Sequence, residues 1–308
     1  MERVIISGGS GMIGKKLTTK LKAAGYRVSI ISRNTSKSLK QVPNADEHII
    51  WANDDNFFNH FEDCFAVINL AGASVADGRW TKSNRRIIYD SRIDATNHLV
   101  KAINKAKNKP KIFLSASGID YYGETKTDTF EDSPNGTGFL AEVCRDWENA
   151  ASKVDKSVRL VIARIGIVLD DKGGALSKMV PQYMMFAGGP LGSGKQWMPF
   201  IHIDDLISIF LFSLENNKVQ GAINCVATQP VTMREFSTIL GNVLQRPSIF
   251  PVPSIILRIV LGSAADIVLK GHKVYPKKLM EYGFHYKYDN LEFAFRNLLK
   301  KLIVKFQK

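Results

Sequence analysis

The stretch Arg3-Val4-Ile5-Ile6-Ser7-Gly8-Gly9-Ser10-Gly11-Met12-Ile13-Gly14 constrains the fold of this chain more than any other. Residues 3–6 are a short apolar, β-branched run, and a helical pattern at Leu17, Leu21 and Ala24 follows the glycines. The order strand, tight turn, helix predicts a phosphate cradle. Gly8 permits backbone angles closed to other residues, Gly11 lets the main chain approach a pyrophosphate, and Gly14 lets the helix lie against the strand. The free N–H groups and positive dipole end of the helix then hold an anion with few side chains. A glycine-rich turn with no ligand is the competing reading. The context favours the cradle, because Tyr26 to Ile31 supplies a second strand and completes a β-α-β unit. The candidate cofactor residues here are Gly8, Ser10, Gly11, Met12, Ile13 and Gly14.

The second strand runs into Ser32-Arg33-Asn34, where many NAD-binding proteins place an acid for the ribose 2′-hydroxyl. A basic residue there suits a 2′-phosphate, since the planar guanidinium binds phosphate in bidentate fashion and Lys37 adds charge. NADP(H) is therefore preferred to NAD(H), against the alternative of a solvated loop arginine. Further along, Ala66-Val67-Ile68-Asn69-Leu70-Ala71-Gly72 is an apolar strand ending in small residues, which adds Asn69, Ala71 and Gly72 to the cofactor set. Trp80 to Lys107 reads as a long helix. Lys111 to Leu114 is a strand leading into Ser115-Ala116-Ser117, with Tyr121 and Tyr122 shortly after, so hydroxyls gather at the carboxyl edge of a parallel sheet. Ser115 joins the cofactor candidates, and so does Arg164 at the end of a strand from Val158 to Ala163.

Composition excludes several classes. With 308 residues and 45% hydrophobic content, the chain can bury a large core. The longest apolar candidate, Ile255 to Leu269, is interrupted by Arg258 and Asp266 and reads as a buried or amphipathic helix, not a membrane span. The first strand starts at residue 3, which leaves no room for a signal peptide. Cys64, Cys144 and Cys225 are too scattered for a metal site and fit a reduced cytoplasmic setting. The net charge of +13 raises nucleic acid as a partner. Its distribution argues otherwise: residues 1–40 hold nine Lys/Arg against one Glu and residues 251–308 eleven against four, with no recognition motif between them.

Further motifs lie in order along the chain. They include Asn69-Leu70-Ala71-Gly72, Trp80-Thr81 with Ser91-Arg92-Ile93, Ser115-Ala116-Ser117 with Tyr121-Tyr122-Gly123, and Phe139-Leu140-Ala141-Glu142-Val143-Cys144-Arg145-Asp146-Trp147-Glu148. Arg164-Ile165-Gly166, Leu191-Gly192-Ser193-Gly194-Lys195-Gln196-Trp197 and Phe200-Ile201-His202-Ile203-Asp204-Asp205 complete the set. In this order and spacing the chain resembles the extended and atypical short-chain dehydrogenase/reductases, and more narrowly their epimerase-family, sugar-nucleotide epimerase-like subgroup. The resemblance covers nearly the whole chain. It implies an α/β fold, a Rossmann-type doubly wound parallel sheet with a smaller C-terminal substrate region. The expected division is a nucleotide-binding domain over residues 1–165 with further core elements from 196–225, a substrate-binding region over 166–250, and a small segment of unknown role over 251–308. A homodimer through the helices near 85–105 and 139–151 is implied by the superfamily alone.

One departure bears on chemistry. Members of the wider superfamily pair a serine, here Ser117, with a Tyr-x-x-x-Lys on the next helix, where tyrosine transfers a proton and lysine lowers its pKa. The corresponding positions on the helix Phe139 to Ala151 are Phe139 or Leu140 and Val143 or Cys144. Ser117, Tyr121 and Tyr122 are therefore the candidate catalytic residues, with the tyrosines beside the nicotinamide in the resembled fold. Two readings stand open. One is an NADP(H)-dependent oxidoreductase or epimerase acting on a small polar or nucleotide-linked carbonyl or alcohol; the other is a non-catalytic NADP(H)-binding sensor. Among the remaining expectations, the glycine-rich stretch from Gly173 to Trp197 is a substrate-facing flap, His202 is a satisfied core residue, and Asp204 caps the helix Asp205 to Leu214. Thr232 caps Arg234 to Leu244, and Leu291 to Val304 is a basic terminal helix.

Overall fold

The computed structural model describes residues 1–306. Its centre is a seven-stranded sheet, parallel throughout, built from β1 (Arg3–Ser7), β2 (Arg27–Ser32), β3 (Glu47–Ile50), β4 (Ala66–Asn69), β5 (Ile112–Gly118), β6 (Arg159–Ile165) and, past three short strands, β10 (Gly221–Cys225). The short strands are β7 (Ile167–Leu169), β8 (Trp197–Met198) and β9 (Phe200–His202), and β11 (Val231–Thr232) follows β10. In space the order is β10-β6-β5-β4-β1-β2-β3. The strand order reverses between β1 and β4, and the crevice beyond their carboxyl ends is where ligands bind in open α/β sheets.

Strand alternation decides which helix covers which face. Val4, Ile6, Val28, Ile30, Ala66, Ile68, Ile112 and Leu114 point to one face, where Leu17 and Leu21 of α1 (Met12–Ala23) meet Leu206 and Phe210 of α7 (Ile203–Glu215). Ile5, Ile31, Val67 and Phe113 point to the other, under Phe57 of α3 (Asp55–Asn59), Leu99 and Ile103 of α4 (Lys82–Lys105) and Ala151 of α5 (Phe139–Ala151). Since both faces are covered, these strands are apolar at nearly every position, which is why they read as continuous runs. The short helix α2 (Thr35–Gln41) follows β2 and borders the crevice.

A third core joins α6 (Gly174–Met184), α8 (Met233–Leu244) and α12 (Leu291–Leu298) through Leu176, Tyr183, Phe236, Leu240 and Phe295. Between α8 and α12 lie α9 (Ser254–Leu261), a 3-10 turn at Gly262–Ala265, α10 (Asp266–Leu269) and α11 (Lys277–Glu281); α13 (Lys300–Phe306) closes the described chain. Among the described residues no helix is long and apolar enough to cross a membrane.

Several local expectations are corrected. The stretch Ile255 to Leu269 is not one helix, because Gly262 at φ +60° ends α9, and α9 has no buried residue. The terminal helix breaks at Leu299 into α12 and α13. The expected flap contains α6, and its glycine turn is pinned: a Cβ at Gly189 would lie 2.0 Å from the Phe250 carbonyl oxygen. Thr232 does cap α8, in a reciprocal box with Glu235. Asp204 does not cap α7. His202 does, accepting from the Asp204 N–H through Nδ1 at 3.0 Å, while the Asp204 carboxylate lies 56% exposed in the first turn.

His202 is fully buried and stacked on Tyr288 at 3.9 Å. Burial pulls its pKa down to about 4 from the ordinary 6.5. The unfolded chain therefore binds the proton first as pH falls, so this contribution to stability is complete above pH 6.5 and is lost on the way down to about 4. Between pH 7 and pH 5 the loss is about 2 kcal/mol. Urea titrations at the two pH values check it, and His202→Asn is expected to remove most of the difference.

Candidate functional site

The crevice at the reversal point is a cleft of about 1310 Å³, lined by the β1 turn, the tips of β2 and β4, and one face of α4. Gly8 has φ +78°, and a Cβ there would lie 2.6 Å from the Leu70 carbonyl carbon and oxygen. The turn after β1 and the tip of β4 thus meet main chain to main chain, which only glycine permits. Gly14 lets α1 cross close above: its Cβ would lie 2.5 Å from the Gly9 Cα. Gly11 is the N-cap of α1 and makes no side-chain cap, and the first turn carries no acid, so the orphan N–H groups there are left for a ligand. These features fit a dinucleotide pyrophosphate.

At the far end of the cleft Arg33 and Lys37 are exposed. Neither has a carboxylate partner among the described residues. Asn34 caps α2 by accepting from Lys37 N–H at 2.8 Å, and Ser32 Oγ closes the turn on Asn34. No acid follows β2, and this fits a 2′-phosphate rather than a free 2′-hydroxyl.

Of the twelve residues expected to hold cofactor, Gly8, Ser10, Gly11, Arg33, Ala71 and Gly72 line the cleft. Met12, Ile13 and Gly14 form the first turn of α1 behind it. Asn69 is fully buried: its Nδ2 donates to Thr96 Oγ1 at 2.8 Å, and its Oδ1 accepts from Ala71 N–H at 3.1 Å, so it shapes the turn that carries Ala71 and Gly72. Ser115 is buried and donates to the Ala116 carbonyl. Trp51, Asn53 and His98 also line the cleft and were not singled out from the sequence. They arrive from the end of β3 and from mid-α4, and the Trp51 and His98 rings lie 4.9 Å apart, tilted by 33°. The run of aromatics at residues 51–58 was the available signal.

Arg164 and the three catalytic candidates form a separate, buried network. Arg164 grips Glu148 with two hydrogen bonds of 2.8 Å each, and Nη1 donates to the Tyr122 hydroxyl at 2.8 Å and to the Glu131 carbonyl. Its guanidinium lies 3.6 Å from the centre of the Tyr121 ring. Ser117 Oγ donates to Glu148 Oε1 at 2.8 Å, and the Tyr122 hydroxyl donates to Asn224 Oδ1 at 2.7 Å. Burial pushes the Tyr122 hydroxyl up to about 12. Neither Arg164 nor any of Ser117, Tyr121 and Tyr122 lines the cleft. The network's visible work is to tie β5, β6, β10 and α5 together.

A second group lies on the other side of the β5 tip. Asp120 and His272 line a small cavity of about 50 Å³ together with Trp80, Phe139, Leu140 and Lys270. Arg92 borders the cleft at Gly72: a Cβ there would lie 3.0 Å from its guanidinium carbon, and the same carbon sits over the Trp147 ring at 5.2 Å. Burial pulls the Arg92 pKa down, opposed by the charge of Asp120. Among the described residues no group of three or more His, Cys, Asp or Glu is placed to hold a metal ion.

Comparison with known proteins agrees with this geometry. The family described as "NAD dependent epimerase/dehydratase family" matches residues 4–225, and a domain of unknown function, DUF1731, matches residues 252–298. The epimerase family protein SDR39U1 homolog of Arabidopsis thaliana is 40% identical over 301 residues, covering 96% of this chain and 86% of its own. The mouse epimerase family protein SDR39U1 is 35% identical over 302 residues, covering 96% of this chain and 99% of its own. The crystal structure of human SDR39U1 (isoform 2) with NADPH superposes with a TM-score of 0.89 at 34% identity, covering 97% of this chain and 99% of that one. The UDP-glucuronic acid 4-epimerase of Bacillus cereus, at 19% identity and a TM-score of 0.75 over 97% of this chain and 99% of that one, shares the fold. The chain belongs to the NAD dependent epimerase/dehydratase family.

Proposed function

We propose that this protein binds NADP(H) in the cleft and acts as an oxidoreductase or epimerase on a small polar or nucleotide-linked carbonyl or alcohol. The observation that carries the cofactor choice is the pair Arg33 and Lys37 at the β2 tip, exposed, without carboxylate partners and facing the cleft with no acid after the strand. The NADPH in the human relative supports the same reading. Bound in the cleft, the cofactor supplies or accepts a hydride. The chain's own residues do the rest: the β1 turn and the first turn of α1 neutralise the pyrophosphate, Arg33 takes the 2′-phosphate, and Trp51 flanks the cleft at its adenine end.

Titration calorimetry with both reduced cofactors tests the choice. A charge-assisted contact contributes about 1.5–3 kcal/mol, so NADPH is expected to bind roughly ten- to hundredfold tighter than NADH. Arg33→Asp is expected to reverse the order; equal affinities in the wild type would overturn the assignment. The second reading, a cofactor sensor without turnover, draws on α5, where Phe139 or Leu140 and Val143 or Cys144 stand at the positions of the Tyr and Lys of the wider superfamily. A broad carbonyl panel that yields no NADPH oxidation, with tight NADPH binding intact, favours it.

A further inference from the structure

The candidate site lacks the Tyr and Lys of the wider superfamily on α5, and the C-terminal segment carries a histidine that makes no contribution to either core on the sheet. His272 lies in the extended stretch between α10 and α11 and is buried. Its Nδ1 contacts the Gly123 carbonyl oxygen. A carbonyl only accepts, so Nδ1 carries a hydrogen and Nε2 is the nitrogen left to gain or lose a proton. Nε2 faces Asp120 Oδ1 at 3.5 Å. The other carboxylate oxygen turns back toward the sheet: a Cβ placed on Gly118, the last residue of β5, would lie 3.6 Å from Asp120 Oδ2.

Three features separate this pair from a surface ion pair. Both residues line the same small cavity. The cavity's apolar wall is Trp80, Phe139 and Leu140. The turn that carries Asp120 leaves the carboxyl end of β5, the neighbour of β4, whose own carboxyl end leads into Gly72 of the cleft wall. The dyad therefore lies on the same carboxyl edge of the sheet as the cleft, one strand beyond β4.

We infer that Asp120 and His272 form the acid–base pair of this protein, and that the C-terminal segment serves to deliver His272 to the site. This rests on the hydride chemistry proposed above. In a reduction the substrate carbon takes a hydride, the carbonyl π pair moves onto oxygen, and that oxygen takes the carboxyl proton of Asp120. The carboxylate recovers a proton from His272 Nε2, and the imidazole is reprotonated from solvent. Oxidation runs the same transfers backwards. Asp120 is the group that touches substrate, and His272 is a positioning and proton-holding residue. The other charged or titratable groups around the pair are Arg92, Cys144, Glu124, the Lys270–Asp266 ion pair and the Lys273–Asp128 ion pair.

The test combines kinetics with a readout that needs no substrate. In the free protein, ¹⁵N imidazole spectra are expected to show the Nδ1-protonated tautomer for His272, and Asp120→Asn is expected to displace the Nε2 resonance and its response to pH. On any carbonyl turned over with NADPH, Asp120→Asn is expected to lower kcat at least about a hundredfold, with NADPH affinity within about twofold of wild type. His272→Gln keeps a hydrogen-bonding side chain that cannot titrate; it is expected to lower kcat about tenfold and to flatten the pH profile, which a structural role alone does not do. Unchanged kcat and pH profile in both variants, or an Nε2-protonated His272 indifferent to Asp120, overturns the inference even if NADPH binds. Loss of NADPH binding in the wild type overturns the proposed function instead, and leaves the spectra to decide the pairing of Asp120 with His272.

Discussion

Arg164→Met is expected to destabilise the folded protein by about 3–5 kcal/mol, because it strands the Glu148 carboxylate in the interior. The two side chains are 5% and 10% exposed, and their contact is bidentate, which is the geometry in which an ion pair recovers most of its desolvation cost. Removing one partner keeps the cost and deletes the recovery. Ser117, Tyr122 and the Glu131 carbonyl also lose a partner or a partner's partner, so β5, β6 and α5 loosen together. Urea unfolding of the wild type and of Arg164→Met measures the loss. The double variant Arg164→Met/Glu148→Leu is expected to regain most of it, since two apolar groups of similar volume leave no buried charge behind. A single-variant loss below about 1 kcal/mol contradicts the argument, because that is the worth of a solvent-screened pair.

The second large effect is at Gly8. Alanine there meets the Leu70 carbonyl at 2.6 Å and must also hold φ near +78°, and main-chain atoms cannot swing aside as a long side chain does. The β1 turn and the β4 tip must part, and the phosphate cradle opens with them. Gly8→Ala is expected to weaken NADPH binding by more than about a hundredfold and to cost about 3 kcal/mol of stability, of which left-handed backbone strain accounts for roughly 1–2. Gly25 supplies the control. It has φ +88° but no atom within 4 Å of its would-be Cβ, so Gly25→Ala keeps the strain and lacks the collision. It is expected to cost only about 1–2 kcal/mol and to leave NADPH affinity unchanged. Equal effects on binding in the two variants would show that the collision at Leu70 is irrelevant. Calorimetry and thermal unfolding of both proteins decide between them.

The turn geometry around the cleft was legible because its determinants are local. The glycines at 8, 11 and 14, the apolar run before them and Arg33 after the second strand all act through turn geometry and strand order, which spacing encodes directly. The chemistry half was not, because it depends on pairs distant in sequence. Asp120 and His272 meet only when the segment past α10 folds back over residues 119–122, and no local signal distinguishes His272 from any other loop histidine. Arg164 is engaged by a partner that is also distant in sequence. A basic residue at the carboxyl end of a parallel strand reads as a ligand contact, yet Glu148 on α5 claims it from the side. Capping misled for a related reason: Asp204 is the better N-cap by residue type, but His202 is held in place by Tyr288 and Asn297 from α12 and the loop before it, and its ring reaches the free N–H.

The strand order also bears on how the chain emerges from a ribosome. β2 docks on β1 and β3 on β2; β4 then returns to the free side of β1, and β5, β6 and β10 add outward in turn. Each new strand thus finds its neighbour already made, and the growing sheet presents one advancing edge instead of waiting for a later strand to fill a central gap. One flank is finished early by β3, four residues long with Glu47 and His48 along it, a combination that discourages pairing with other chains. The other flank stays open until β10, where Asn224 gives its backbone N–H to Glu131 and its side chain to the Tyr275 carbonyl, and α11 packs alongside. A nascent chain stalled before residue 275 would carry an uncapped β10, open to pairing with another chain. The last-made segment therefore protects newly synthesised molecules from edge-to-edge aggregation.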